Sequence, residues 1–139
     1  MSKSYNKKSV ALAQLETALR LFQEDDLFSA GTLAGAAEEI LGGLVRAKGD
    51  DNSLDSLKKA AVAIHYHLHG PSIPPKAFAN RANLFRNWLK HLNAPGPPAI
   101  TFDLREEVVD LLNRAVDNHW TLEKSLSPAM EEFSKAQRS

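Results

Sequence analysis

The sequence contains no cysteine among its 139 residues. This absence excludes disulfide bonds, catalysis by a thiol and any zinc site built from cysteine, and it fits a protein of the reducing cytosol. No apolar run approaches the roughly 20 residues that a membrane-spanning helix needs. The first residues carry charge without an apolar segment behind it, so we expect a flexible tail over 1–8 and no signal peptide. We therefore expect a cytoplasmic chain without a membrane partner.

Acidic residues are absent from one long stretch, because no Asp or Glu occurs between Ser56 and Phe102. The same stretch holds six cationic side chains, which are Lys58, Lys59, Lys76, Arg81, Arg86 and Lys90. The net charge of zero therefore hides an uneven distribution, with the acidic excess after Phe102. A locally basic surface suits a polyanionic ligand such as RNA or a nucleotide. An ordinary solvated helix face is the alternative, and both interpretations stay open.

Strand-type alternation, glycine-rich phosphate loops and internal repeats are also missing, whereas helical periodicity runs through the chain. Apolar residues three and four positions apart predict helices over 9–23, 27–47 and 54–69. A fourth helix lies between two proline-rich segments, a fifth covers 103–124 and a short one covers 128–137. We predict a single all-α domain over the whole chain, an up-and-down bundle of four to five main helices plus a short C-terminal helix.

The second predicted helix is rich in small residues, which are Ala30, Gly31, Ala34, Gly35, Ala36 and Ala37. Small side chains let a neighbouring helix approach closely, so we place this helix at the centre of the bundle. Gly42 and Gly43 each lower its stability by roughly 1 kcal/mol relative to alanine, which indicates a tight crossing or a bend. Glu38 and Glu39 are typical of a solvated pair, unless one of them faces the region of Arg86.

The segment from Arg86 to His91 carries the strongest chemical signal in the chain. Its arginine presents a planar fork of donors suited to phosphate, and its histidine can move protons near neutral pH. Asn87 can hydrogen-bond to the imidazole or to a ligand. Asn83 and Lys90 lie on the same polar face, and we expect these two residues and Arg81 to contribute to ligand binding. The segment lies near the end of the fourth predicted helix.

A second pair with the same spacing consists of Arg114 and His119. Asp110 and Asp117 lie one helical turn on either side of Arg114, so we expect this arginine to be paired with one of them. Arg86 has no acidic residue near it in the sequence. We therefore expect Arg86 to lie in a groove without a carboxylate partner, and Arg86→Ala to change stability by less than about 0.5 kcal/mol.

The motif resembles the Arg-x4-6-His signature of the HEPN family (higher eukaryote and prokaryote nucleotide-binding domains), in which a polar residue such as Asn87 follows the arginine. The order of the predicted helices is similar too. The resemblance implies an all-α bundle, and either a metal-independent endoribonuclease without a cofactor or a module that only binds. In the nuclease, His91 would act as acid or base, Arg86 would hold the phosphate and Asn87 would orient the histidine. The segments Ala36–Leu41 and Asn87–His91 also resemble a group of bacterial proteins that implies no function.

The geometry of a helix predicts that this protein is a homodimer. Arg86 and His91 are about 140° and 7.5 Å apart on an ideal helix, too divergent for a close pair within one chain. A two-fold axis would bring two copies of the motif together, with the fourth helix and Trp88 at or beside the interface. An antitoxin encoded in the same operon is a further candidate partner. In HEPN toxins that act with a nucleotidyltransferase antitoxin, a tyrosine often stands where this chain has Asn93.

Three alternating histidines end the third predicted helix, whose core stripe we expect to be Leu54, Leu57, Ala61, Ile64 and Leu68. His65 and His69 share one face of that helix, while His67 points away from them. Two ligands are only a fragment of a metal site, so we predict no metal site here. Two alternatives to the nuclease remain: a non-catalytic helical interaction or nucleotide-binding module, and a metal-binding helical protein that uses His65 and His69.

Overall fold

The computed structural model describes residues 1–70, 75–91, 99 and 101–139. Over these residues the chain forms seven α-helices and no strand, which confirms the all-α bundle. The helices are α1 (Lys7–Gln23), α2 (Leu27–Ala47), α3 (Ser53–His69), α4 (Pro75–Ala82), α5 (Leu84–Lys90), α6 (Leu104–Glu123) and α7 (Pro128–Arg138). In this described part no helix is long and apolar enough to cross a bilayer.

Two helix boundaries differ from the prediction for local reasons. α1 begins inside the expected tail because Asn6 caps it, its side-chain oxygen accepting the Ser9 N–H at 2.8 Å. The fourth predicted helix is two helices, separated at Asn83, whose backbone (φ −101°, ψ 2°) departs from helical geometry. The segment with the arginine and the histidine thus belongs to a separate short helix, α5. The proline-rich segments around α4 and α5, and Asn93 with them, lie mostly or wholly outside the described residues.

The small-residue helix α2 lies at the centre of the bundle, as predicted, and packs against both α1 and α6. A Cβ added at Gly31 would lie 3.2–3.3 Å from side-chain atoms of Phe85, Leu89 and Val108, so the missing side chain is what lets α5 and α6 approach α2. The largest fully buried apolar side chains around α2 come from α1, α2, α6 and α7, and they are Leu15, Leu41, Val45, Val108, Leu112 and Met130. This core supplies most of the apolar burial that stabilises the fold.

The N-terminal end of α3 is anchored to the bundle through buried polar groups. Asn52 caps the helix and donates its side-chain amide to the Gly42 carbonyl at 3.2 Å. The Ser53 N–H donates to the side-chain oxygen of fully buried Asn118 at 2.8 Å. Asp55 accepts hydrogen bonds from Arg46 and the Asn52 N–H, and the Arg46 guanidinium holds the pKa of that carboxyl well below its usual range.

Beyond its first turn α3 leaves the core, so most of its predicted core stripe is exposed. Leu54 is buried, but Leu57, Ile64 and Leu68 are 46%, 59% and 68% exposed. The expectation that these three leucine and isoleucine side chains are core residues is wrong for the single chain. The physical reason is the direction of the helix: after its anchor on α2 and α6, α3 is accompanied mainly by α4, a short helix with no buried residue.

Candidate functional site

A buried carboxylate on α2 holds the arginine of the motif. Arg86 Nη1 donates to Glu38 Oε2 at 2.7 Å, and the two side chains are 13% and 4% exposed. The expectation that Arg86 lacks a carboxylate partner is therefore wrong. Since this ion pair is largely buried, the expectation that Arg86→Ala leaves stability unchanged also loses its basis. Helical spacing does not predict this contact, because Glu38 lies 48 residues before Arg86 in the sequence.

The second arginine, Arg114, approaches the same carboxylate from α6. Its Nε lies 3.8 Å from Glu38 Oε1, and its side chain is 5% exposed. Neither Asp110 nor Asp117 forms an ion pair with it, so the pairing expected from helical spacing is wrong. Neighbouring His119 is buried as well, which puts both members of the second arginine–histidine pair inside the fold.

A glycine on α2 makes room for the stem of Arg86. A Cβ added at Gly35 would lie 2.8 Å from Arg86 Cγ, closer than real side chains pack, and 3.4 Å from its Cδ. Gly35 precedes Glu38 by three residues, so both point to the same face of the helix. A glycine followed three residues later by a glutamate, within the helix rich in small residues, was the sequence signal for this slot.

The buried cluster holds two guanidinium groups and one carboxylate, and it therefore keeps an excess positive charge. Within the described residues, Arg86 Nε and both Nε and Nη2 of Arg114 are buried without a hydrogen-bond acceptor. Burial lowers the pKa of Arg114, which Glu38 partly offsets. Unmet donors of this kind are costly in a protein interior. We call Glu38, Arg86 and Arg114 the arginine–glutamate cluster.

The other residues of the motif lie at the surface of α5. Asn87 and His91 are exposed, and the His91 N–H donates to the Asn87 carbonyl at 3.0 Å to end the helix. Lys90 donates to Glu39 at 2.7 Å. This hydrogen bond is the main cause that lowers the pKa of Glu39, and the nearby charge of Arg86 adds to it. Trp88 is half-buried against Phe102, with ring centroids 5.7 Å apart.

The predicted basic surface is largely neutralised by acids from outside the acid-free stretch. Ion pairs engage four of its six cations, and these pairs are Lys58–Asp55, Lys59–Asp51, Arg86–Glu38 and Lys90–Glu39. For Lys76 and Arg81 the described residues include no ion-pair partner. The solvated-face interpretation therefore fits the structure better than a polyanion-binding face.

The three predicted ligand-binding residues do not form one site. Lys90 is bound to Glu39 on α2, whereas Arg81 is exposed on α4 and lines a groove facing α6. Asn83 lies between α4 and α5, where its side-chain oxygen is buried without a hydrogen-bond donor among the described residues. Asn87, Lys90 and His91 are all exposed at the C-terminal end of α5.

A groove between α3, α4 and α6 was not predicted from the sequence. Its volume is about 770 Å³, and Arg114 of the cluster lines it. Its acidic lining residues are Asp103, Glu106, Glu107, Asp110 and Asp117. Burial is the main cause that raises the pKa of Glu107 and of Asp110, and repulsion by neighbouring carboxylates adds to it. This groove brings a buried cation and crowded carboxylates together.

The histidines of α3 do not assemble a metal site with other residues of the described structure, which holds no group of three or more His, Cys, Asp or Glu suited to a metal ion. The rings of His65 and His69 share a face, with centroids 5.1 Å apart. His67 is exposed on the other side. The pair by itself supplies only two ligands, fewer than a structural or catalytic zinc site uses.

The protein belongs to the class of all-helical bundles. It has a buried arginine–glutamate cluster beside an acidic groove. Comparison of the chain with protein-family models, with curated proteins and with solved structures finds no match. The resemblance to the HEPN family therefore rests on one short motif and on the order of the helices.

Proposed function

We propose that the chain is a non-catalytic helical interaction module that forms a homodimer through the exposed apolar stripe of α3. The observation that carries this proposal is the exposure of Leu57, Ile64 and Leu68, between 46% and 68% each, along one face of the helix. Contiguous exposed apolar surface of this kind marks interaction sites in soluble proteins. The proposed interface lies beside α4. This helix is the first half of the predicted fourth helix, where the dimer contact was expected.

The spacing of the stripe favours a second copy of the same helix as the partner. Leu57, Ala61, Ile64 and Leu68 follow one another at intervals of four, three and four residues, as the seam of a coiled coil does. In an antiparallel pair, Leu57 would face Leu68 of the other copy, and Ala61 would face Ile64. A small side chain opposite a large one fills the seam without voids.

The charges on α3 also suit self-association. Lys58 and Lys59 are paired with Asp55 and Asp51 of the same chain, so two copies of α3 would not repel each other through these lysines. The same pairing leaves little free positive charge for a polyanion. A closed two-fold contact is the commonest way in which identical chains associate.

The substitution Ile64→Glu tests this interface. It places a charge in the middle of the seam, so we expect the dimer to dissociate at least about tenfold more readily, which corresponds to 1.4 kcal/mol or more. Sedimentation velocity over a concentration series measures the effect. Val10→Glu is the control, because Val10 is an exposed aliphatic residue on α1, far from α3 in the sequence. A parent protein that stays monomeric, or a dimer unaffected by Ile64→Glu, contradicts the proposal.

A second candidate function, metal-independent cleavage of RNA, is favoured by the exposure of Asn87 and His91 at the end of α5. In that reaction a base takes the proton of a ribose 2′-hydroxyl. The oxygen then attacks the adjacent phosphate and expels the 5′-oxygen, leaving a cyclic phosphate. His91 would act as the base or the acid, and the excess positive charge of the arginine–glutamate cluster would lie behind it. RNA, a nucleotide or an antitoxin would be the partner.

Replacement of the histidine tests this candidate. If His91 transfers the proton, His91→Ala lowers the cleavage rate about 10²–10⁴-fold. The assay follows a labelled single-stranded RNA in the presence of EDTA, which removes contaminating metal-dependent nucleases. His67→Ala is the matched control, because His67 is an exposed histidine on α3. Absence of cleavage by the parent protein, or equal rates for both variants, excludes the nuclease.

A further inference from the structure

We infer that the groove between α3, α4 and α6 binds a basic peptide segment of a partner protein. Arg114 would donate a hydrogen bond to a backbone carbonyl of the peptide, while Glu107 and Asp110 would bind a lysine or arginine side chain. This site shares Leu57 with the α3 stripe and is separate from His91. Its test is distinct from those of the homodimer and of the nuclease, because it changes carboxylates of α6 that neither of those proposals uses.

Arg114 has unmet hydrogen-bonding capacity. Its side chain is 95% buried, and its Nη2 has no acceptor among the described residues. The carboxylate of Glu38 lies 3.8 Å from its Nε and already accepts the shorter bond from Arg86. A buried donor without an acceptor is rare and costs free energy. Because Arg114 lines the groove and its contact to Glu38 is 3.8 Å long, an acceptor supplied by a ligand in the groove would give its guanidinium group a shorter bond.

The charges of the groove favour an acceptor without a net charge. The groove is lined by five carboxylates and by only two cations, Arg81 and Arg114. A phosphate or a carboxylate would approach Arg114 against this negative potential. A peptide carbonyl accepts the same hydrogen bond without a net charge. The electrostatics therefore favour a neutral acceptor within a ligand that is cationic as a whole.

Glu107 and Asp110 lie one turn apart on α6 among crowded carboxylates. Burial is the main cause that raises both pKa values, and repulsion adds to it, from Asp110 in the case of Glu107 and from Glu106 in the case of Asp110. A lysine or arginine side chain between them would relieve this repulsion. Charge-assisted hydrogen bonds of that kind are stronger than neutral ones.

The groove is large and partly apolar. Its volume of about 770 Å³ is that of a cleft for an extended ligand, larger than a single ion needs. Leu57, Phe78 and Phe102 supply apolar surface next to the carboxylates. A segment in which basic and apolar residues alternate would place a basic side chain on α6 and an apolar one on these residues.

The test uses a fluorescein-labelled hexapeptide of alternating arginine and leucine, with blocked ends, and measures its binding by fluorescence polarisation. We expect the full chain to bind it. Glu107→Gln combined with Asp110→Asn should weaken binding about tenfold, because two opposite charges are lost. The matched control combines Glu131→Gln with Glu132→Gln, which removes the same charge from exposed positions on α7 and should change binding less than about twofold.

The donor role of Arg114 needs its own readout, since Arg114→Met removes a buried charge and can impair folding. Nitrogen-15 NMR of the folded parent protein follows the Arg114 side-chain N–H signals, which should shift when the peptide binds. No binding by the parent, equal weakening in the two double variants, or unchanged Arg114 signals in the complex would overturn the proposal. Displacement of the peptide by a hexanucleotide RNA of equal length would also overturn it, in favour of an anion site.

Discussion

Glu38→Ala should destabilise the protein by about 3–5 kcal/mol, because it leaves two buried guanidinium groups without their shared carboxylate. The loss exceeds the effect of removing an ordinary buried side chain. Two like charges that Glu38 now separates would face each other in a poorly solvated interior. For a chain of this length we expect the melting temperature to fall by roughly 10–20 °C.

Thermal unfolding followed by circular dichroism measures this effect, and the adjacent residue provides the control. Glu39 is on the same helix, is also a glutamate and is also paired with a cation of α5, but its side chain is 50% exposed. Glu39→Ala should therefore cost no more than about 1 kcal/mol. If Glu38→Ala and Glu39→Ala have the same melting temperature, the arginine–glutamate cluster does not stabilise the fold.

The arginine–glutamate cluster also explains why the prediction that Arg86 lacks a carboxylate partner was wrong. An arginine in an acid-free stretch of sequence looks available for phosphate, because no carboxylate lies within a helical turn of it. The carboxylate comes from α2, and α5 meets α2 only in the folded chain. Linear charge patterns report on neighbours along one helix, whereas a bundle brings together residues that are far apart in sequence.

Apolar periodicity, in contrast, predicted the helices well. The regular spacing in α1 and α2 and the small residues of α2 follow directly from what a central helix must bury. The break at Asn83 was missed, because an asparagine with this backbone geometry is invisible in a pattern of apolar residues.

The apolar stripe of α3 shows what apolar periodicity does not predict. A three-four pattern identifies an apolar face, but it does not reveal whether that face is buried within the chain or against another one. Leu54 is buried within the chain. Ile64 and Leu68 are exposed in the single chain, and this exposure is the observation behind the proposed interface.

The sequence does not predict the acidic groove, for a related reason. The carboxylates of α6 alternate with Arg105 and Arg114, which on the sequence alone looks like an ordinary mixed helix face. Burial distinguishes the two arginines: Arg105 extends over the ring of Phe22 at the surface, whereas Arg114 turns inward to Glu38. The chemical difference between them exists only in three dimensions.

Gly35→Ala should destabilise the protein by about 1–3 kcal/mol, although alanine is the better helix former. The added Cβ would lie 2.8 Å from Arg86 Cγ, in the middle of the arginine stem where the side chain cannot yield without moving its guanidinium. The clash would therefore pull Arg86 away from Glu38. Urea unfolding monitored by fluorescence of the two tryptophans gives the free energy of unfolding.

Gly43→Ala is the matched control on the same helix. Gly43 is exposed, and a Cβ there would meet no described atom within 4 Å, so this change should stabilise the protein by up to about 1 kcal/mol. The two substitutions are chemically identical and should act in opposite directions. In an Arg86→Ala background the cost of Gly35→Ala should largely disappear, because the contact that it disturbs is already gone. If Gly35→Ala stabilises as Gly43→Ala does, the slot in α2 has no role in holding the arginine.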